Sequence, residues 1–368
     1  MKIYFIASFG NFNKLPLGGG QTSSRRLLAT LKSMNYDVTP IHRHPPSSNN
    51  KIIRNLQFAF LSIVDPIYFF LRLLFCSRRD AIVIYQGYLG KVLLPLEYIT
   101  SFVIHCLRYK NIFYLKGGGT KEMYEQCNCF EKFYERRLLE NYSLIMCEGL
   151  ENIIFVNSIV KTKTEYLPNF TEDGFAPSTI PYKPNDRWNI LYFGRVGPTK
   201  NVLLGLNVFD RLCQQFDNIY YTIVGGGPEN YCKQVERRIE LSPNRDRIKR
   251  IGRLSHDELK RIMVNQHFFL FPSAEPREGH SNALNEAMSF GLVPIVSRNN
   301  FLPSIVGNNK LVANNLKVEA FTSIISNVIE SDNYKVLSKI MFERIQKNFT
   351  QTIIEKKLKD IIEETFSL

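Results

Sequence analysis

Two glutamates, Glu278 and Glu286, stand eight residues apart in AEPREGHSNALNEAMSFGLVPIVS, residues 274–297. On one continuous helix, eight residues at about 100° each leave the carboxylates offset by roughly 80°, so they would not share a face. Either the pairing is accidental or Glu278 lies in a loop ahead of the helix. A second group is FGRVGPTKN, where Arg195 and Lys200 flank a Gly-Pro turn. Such a turn can fold both cations toward one point and neutralise a diphosphate without a metal; an exposed basic loop is the competing reading. Three glycine triplets, Gly18–Gly20, Gly117–Gly119 and Gly225–Gly227, complete the set. None is a Walker or dinucleotide fingerprint, since GGGQTSS lacks the lysine and GGGPEN the last glycine. At Gly18–Gly20 a helix follows at once and offers amides and a positive dipole end to a phosphate. A simple strand-to-helix turn also accounts for the other two.

These groups need elements to hold them. KIYFIAS is an apolar run of strand length, and LGGGQTSSRRLLATLKSMNYDV after it reads as a Gly-rich turn, an amphipathic helix and a second strand. Further strands are predicted at Ala81–Gln86, Ile112–Gly117, Ser143–Glu148 and Ile153–Ser158, with helical patterns between several of them. That alternation implies a parallel sheet covered by helices. Residues 167–188, with four prolines, break it and read as a linker. The pattern then restarts with NILYFGR, IYYTIVGGGPE, IKRIGRL, HFFLFPS and VPIVS as strands. The fold class is therefore α/β with two doubly wound, Rossmann-like domains. The first covers 1–168 and the second 189–350, joined by 169–188, and an amphipathic helix at 351–368 returns to the first. In such sheets ligands bind beyond the carboxyl ends of strands, where the glycine triplets and both charged groups fall.

At 368 residues, the chain has the length of two domains, and 44% hydrophobic with 22% charged residues marks a globular protein. Seven scattered cysteines, with one CNC pair and no second, argue against a zinc site or disulfide framework and for reduced thiols in a cytoplasmic protein. The net charge of +13 is uneven: residues 1–116 hold fifteen Lys and Arg against four Asp and Glu. That third is suited to an anionic surface. Its apolar segment Leu56–Phe75 is long enough to span a bilayer, but Asp65, Pro66 and Arg72 inside it disfavour spanning. It reads either as an interfacial segment with Arg54, Arg72, Arg78, Arg79 and Lys91 on lipid phosphates, or as a buried core helix. The opening MKIYFIASFG is too short for a signal peptide.

Taken together, the motifs resemble a retaining glycosyltransferase of family 4 with GT-B architecture, two domains facing each other across a cleft. Glu278 and Glu286 match that family's Glu-x7-Glu motif, FGRVGPTKN its phosphate loop, TIVGGGPE its Gly-rich turn and IKRIGRLSHDEL its base-binding strand end. The likeness covers nearly the whole second domain and is weaker in the first. It implies that Glu286 takes the ribose hydroxyls of a nucleotide sugar and that Glu278, with Gly279, His280, Ser281 and Asn282, faces the transferred sugar. Arg195 and Lys200 would hold the diphosphate and stabilise charge on the leaving group. Gly19 and Gly20 would approach that phosphate from the first domain, and backbone near Arg253 and Leu254 would read the base. The two-carboxylate arrangement of hydrolytic glycosidases does not transfer, because one glutamate is expected on the ribose. No metal or other cofactor is implied, and the leaving diphosphate itself helps to take the acceptor proton. Many members carry a histidine near the end of a first-domain strand. IFYLKGGGTKEMY has Lys116 there instead, a possible contact to donor or acceptor sugar.

The resulting expectation is a metal-independent, retaining hexosyltransferase. It would use a nucleotide sugar, UDP-linked, and a growing cell-surface glycan such as a lipid-linked O-antigen, capsule or exopolysaccharide intermediate. It would sit peripherally on the inner face of the cytoplasmic membrane, an anionic surface, and bind no nucleic acid. The rivals are a nucleotide-sugar epimerase of the same architecture and a non-catalytic protein that binds anionic surfaces.

Overall fold

A computed structural model describes residues 1–14, 16, 18–44 and 50–366. The chain divides into two compact units, Met1–Asn169 with Ile354–Leu368, and Phe170–Ile353. Of the residues read as a linker, those from Phe170 onward therefore cluster with the second unit, and Asn169 with the first.

The first unit runs β1 (Lys2–Ala7), α1 (Gly19–Ser33), β2 (Asp37–His42), α2 (Lys51–Leu74), β3 (Ala81–Gly87), α3 (Leu94–Cys106), β4 (Lys110–Leu115), α4 (Thr120–Glu125), α5 (Cys129–Glu140), β5 (Leu144–Cys147), α6 (Leu150–Ile159) and β6 (Thr164–Tyr166). The strands form one sheet in the order β2-β1-β3-β4-β5-β6, parallel at every pairing. All seven residues of β3 and all four of β5 are buried, as unbroken apolar runs covered on both faces must be. Tyr85, Phe113 and Tyr142 stack in sequence inside this core.

One expected strand is a helix. Ile153–Ser158 lies within α6, where Phe155 and Val156 are buried while Leu150 and Ile154 face out. Two adjacent buried residues between exposed Ile154 and Asn157 break the alternation of a strand and fit a helix, and the sixth strand is the short, half-buried TEY further on.

The second unit runs β7 (Trp188–Phe193), α7 (Val202–Leu212), β8 (Ile219–Val224), α8 (Glu229–Glu240), β9 (Ile248–Ile251), α9 (His256–Met263), β10 (Phe268–Phe271), α10 (Asn282–Met288), β11 (Val293–Ser297), α11 (Leu302–Val306), β12 (Val312–Ala313), α12 (Val318–Glu330) and α13 (Tyr334–Asn348). Its sheet has the order β12-β11-β10-β7-β8-β9, again parallel. The last helix, α14 (Gln351–Phe366), joins the first unit from Ile354 onward. The final two residues of the helix predicted to 368 lie outside the described residues.

Strand order explains where each unit can bind. In the first sheet the chain reverses direction of growth between β1 and β3, and in the second between β7 and β10. At such a reversal the following helices leave on opposite faces, which opens a crevice at the strand ends. Gly18 ends the loop after β1, with Gly19 and Gly20 opening α1; the loops after β7 and β10 carry Arg195, Lys200 and Glu278.

Candidate active site

In the second unit the loops after β7 and β10 are bound to each other at the reversal point. Lys200 Nζ donates to Glu278 Oε2 at 2.5 Å, and Ser273 Oγ donates to the same carboxylate oxygen. The Glu278 side chain is 9% exposed and that of Lys200 14%, so the pair is largely withdrawn from solvent yet reachable. The lysine stem crosses Phe271, its ammonium 5.2 Å from the ring centre. Around this pair the backbone is fixed from both sides. Thr199 Oγ1 donates to Glu275 Oε2 at 2.6 Å, Asn201 Nδ2 to the Pro272 carbonyl at 2.9 Å, and the Ala274 amide to the Thr199 carbonyl at 2.7 Å. Asn299 and Asn300, just past β11, hold the Glu275 carbonyl at 3.0 and 3.2 Å.

Glu278 therefore lies in the loop ahead of α10, and Glu286 lies on that helix, buried. Ser281 caps α10, its side chain accepting the Leu284 amide, which sets Gly279–Ser281 outside the helix and Asn282 at its first position. His280 is buried; its ring packs edge-on against Phe349 at 4.8 Å, and Nδ1 lies 3.4 Å from Asn285 Nδ2. Arg195 follows β7 and its side chain is exposed, while its carbonyl accepts the Tyr192 hydroxyl at 2.6 Å.

The triplet Gly225–Gly227 is explained by its neighbours. A Cβ on Gly225 would sit 1.9 Å from the Gly194 carbonyl oxygen, and one on Gly227 1.6 Å from that of Val196. Only glycine lets the two backbones touch, and the Val196 amide then donates to the Gly226 carbonyl at 2.9 Å. The side chain of Arg253 lies over Gly226, so the loop after β9, which also carries Leu254, is packed on the same layer. The predicted residues of the second unit thus share one edge of one sheet.

In the first unit, Gly18 caps α1, its carbonyl accepting Thr22 Oγ1 at 3.2 Å, and a Cβ added there would meet nothing within 4 Å. Packing does not require this glycine, unlike those at 225 and 227. Gly19 and Gly20 open the helix, and the Gly20 carbonyl accepts Ser24 Oγ at 2.8 Å. Ser24 is joined to Gln86, and the Gln86 carbonyl takes Arg43 Nη1 at 3.1 Å while Arg43 Nη2 reaches Glu97 at 2.6 Å. The loop between β1 and α1 is gathered by Arg25, which donates to the carbonyls of Phe9, Asn11 and Lys14. Sequence reasoning missed Arg25, Arg43, Glu97, Ser273 and Glu275; their partners are mostly far away along the chain, and spacing alone gives no sign of them.

Lys116, at the end of β4, is buried and fully engaged. Its Nζ lies 2.7 Å from Glu148 Oε1, 2.8 Å from Asn169 Oδ1 and 3.2 Å from the Tyr114 hydroxyl, which matches the three hydrogens of an ammonium. Burial pulls its pKa below the ordinary lysine value, with Glu148 opposing. The other Glu148 oxygen accepts the Gly117 amide at 2.8 Å, and Gly117 and Gly119 both have positive φ. Lys116 therefore acts on the glycine turn beside it. In this structure its ammonium is directed at these three partners.

Residues 179–347 match the family described as glycosyl transferases group 1. The matched residues fall within the second unit. A phosphatidylinositol N-acetylglucosaminyltransferase component of Homo sapiens is 26% identical over 164 residues, 44% of this chain and 32% of that protein. The gpi3 component of the corresponding transferase of Schizosaccharomyces pombe is 22% identical over 220 residues, 59% and 47% of the two chains. The amylovoran biosynthesis glycosyltransferase AmsK of Erwinia amylovora is 25% identical over 207 residues, 53% and 50%. The chain thus spans between about a third and a half of the length of these curated relatives. Among solved structures, sucrose-phosphate synthase of Thermosynechococcus elongatus superposes with a TM-score of 0.76 at 16% identity, covering 100% of this chain and 99% of that one. Anabaena HepE in complex with UDP and glucose gives 0.68 at 13%, covering 99% of each. At these identities the likeness is one of fold, and that fold is GT-B, two parallel six-stranded sheets clothed in helices.

Proposed function

We propose that the protein transfers a hexose from a UDP-sugar to a lipid-linked cell-surface glycan, with retention at the anomeric carbon and without a metal. The observation that carries this reading is the Lys200–Glu278 pair at the β7/β10 reversal, in the same unit as the loops that hold Arg195 and Arg253 and the helix that holds Glu286. Arg195, exposed after β7, and Lys200 take the diphosphate, and binding exchanges the Lys200–Glu278 contact for one between Lys200 and phosphate. Glu278 is then released to the hydroxyls of the transferred sugar, while Glu286 receives the ribose hydroxyls from the helix. Two cations on the diphosphate stabilise the charge that grows as the glycosidic bond breaks. The leaving phosphate takes the acceptor proton, so no side-chain base is required. UDP is supported by the UDP and glucose bound to HepE. A lipid-borne or polysaccharide acceptor is supported by the phosphatidylinositol and amylovoran in the relatives' names.

The test is a thermal-shift screen of common nucleotide sugars, since a ligand that binds only the folded state raises its apparent stability. UDP-sugars should stabilise the wild type, with the shift retained in EDTA. Lys200→Ala should weaken UDP binding by about tenfold or more, as expected for losing one charge-assisted contact. Glu278→Gln should retain UDP binding but lose transfer. If no nucleotide sugar shifts the melting curve, the reading fails.

A further inference from the structure

The helix α2 leaves one whole face uncovered. Ser62, Asp65, Phe69 and Leu73 are buried against the unit, whereas Leu56, Phe60, Ile63, Ile67 and Leu71, recurring every three or four residues on the other side, are 54–66% exposed. Val92, Ile99 and Phe102, from α3 and the turn before it, are exposed as well. Between the two helices runs an apolar groove of about 360 Å³ lined by Phe58, Ala59, Ile63, Val92, Pro95 and Ile99. Soluble monomers seldom leave so long a continuous apolar stripe in water.

The helix is long and apolar enough to cross a membrane, but its middle is tied to the protein. Asp65 is completely buried and its carboxylate accepts the His44 amide at 3.1 Å and meets His44 Nδ1 at 2.8 Å. A helix held to a folded domain along one side cannot pass through a bilayer; it can lie in the interface plane. Charge selects the bilayer. Asp65 is the acidic residue of α2, so the exposed faces of the helix carry no anion, while Arg54 and Arg72 are exposed about five turns apart on the same flank. Arg78 and Arg79 are exposed just beyond its end, and residues 1–116 carry a balance of +11.

We infer that the α2 face, with the α2–α3 groove, docks flat on an anionic lipid bilayer, its apolar stripe in the acyl boundary and its arginines on lipid phosphates. This builds on the reading of a lipid-linked acceptor and names the surface that would meet the membrane. A stripe of this kind beside basic side chains binds by apolar burial and electrostatics together, so both should be measurable.

The experiment is co-sedimentation of the full chain with vesicles of phosphatidylcholine alone or mixed with phosphatidylglycerol, with UDP binding measured on the same preparations. The wild type should pellet with the mixed vesicles and about tenfold or more weakly with the neutral ones, given four exposed arginines near the face. Leu56→Ser/Phe60→Ser/Ile67→Ser should lose binding to mixed vesicles while keeping UDP binding and its circular dichroism spectrum. Arg54→Gln/Arg72→Gln should weaken binding about fivefold for each arginine and flatten its salt dependence. The inference is overturned if the wild type pellets with neither vesicle, if the folded serine variant pellets like the wild type, or if the face instead forms a wild-type dimer that the serine variant abolishes. Failure of the wild type to bind either vesicle, with its UDP binding intact, rejects this inference alone. Vesicle binding without any nucleotide-sugar binding rejects the catalytic reading alone.

Discussion

Replacing Lys116 by methionine removes a charge from a closed network and leaves the rest of the side chain in place. Lys116 and Glu148 are each 3% exposed, and the lysine's three acceptors lie at 2.7, 2.8 and 3.2 Å. Without the ammonium, Glu148 keeps the Gly117 amide but loses its counter-charge in a site that water hardly reaches. Removing one partner of a buried pair typically costs about 3–5 kcal/mol, more than the pair itself contributes. Lys116→Met should fall in that range, and adding Glu148→Gln should recover part of it, with a coupling of about 1–3 kcal/mol. Urea unfolding followed by far-ultraviolet circular dichroism reads both units, while the single tryptophan, Trp188, packed on His267, Phe268 and Tyr334, reads the second. The loss should appear in the dichroism transition and leave the tryptophan midpoint in place. A loss below about 1 kcal/mol, or a double variant no better than the worse single one, refutes the claim that the pair works as a unit.

Acid should weaken the second unit through His267, whose Nδ1 accepts the Asn189 amide at 3.1 Å and whose Nε2 donates to the Pro184 carbonyl at 3.0 Å. Burial pushes its pKa down to about 4, so the folded state resists a proton that the unfolded chain takes near 6.5. The His267 contribution is therefore full above about pH 6.5 and falls by up to about 3 kcal/mol toward pH 4; Trp188 melting curves of His267→Gln should lose that part of the slope, and an unchanged slope between about pH 6.5 and 4 would assign it elsewhere. Gly227→Ala should destabilise by on the order of 3 kcal/mol, because its Cβ would overlap the Val196 carbonyl. Gly252→Ala, with nothing within 4 Å, should cost less than about 1 kcal/mol, and equal melting temperatures for the two would contradict the packing argument.

What could be read in advance depended on how local the signal was. Buried parallel strands such as AIVIYQ and HFFLFPS declare themselves because every position is apolar, and the β7/β10 loops because glycine, proline and cations cluster after such runs. IIFVNS failed because six apolar-rich residues suit either a strand or a helix; the outward turn of Ile154 decides, and that depends on what packs nearby. Lys116 could be named from its position as a possible sugar contact or as a structural lysine, and its position alone does not give its partners. Its partners, Glu148 and Asn169, are 32 and 53 residues away, brought in by β5 and the chain beyond β6. Leu56–Phe75 read equally as core or interface, since apolar residues lie all around the helix and its buried side also carries Ser62 and Asp65. The orientation comes from the pairing of Asp65 with His44, which no helical pattern contains.

The helix α14 has a consequence for the order in which the molecule is made. It supplies Leu358, Ile361 and Ile362 to the first unit, joins α1 through Ser33 and Glu355, and reaches Lys110 at the start of β4. The ribosome delivers it only after Phe170–Ile353, so at about 5–20 residues per second the first unit waits on the order of ten to forty seconds for its last piece. During that interval an apolar seam on a nascent domain is open to chaperones and to other chains.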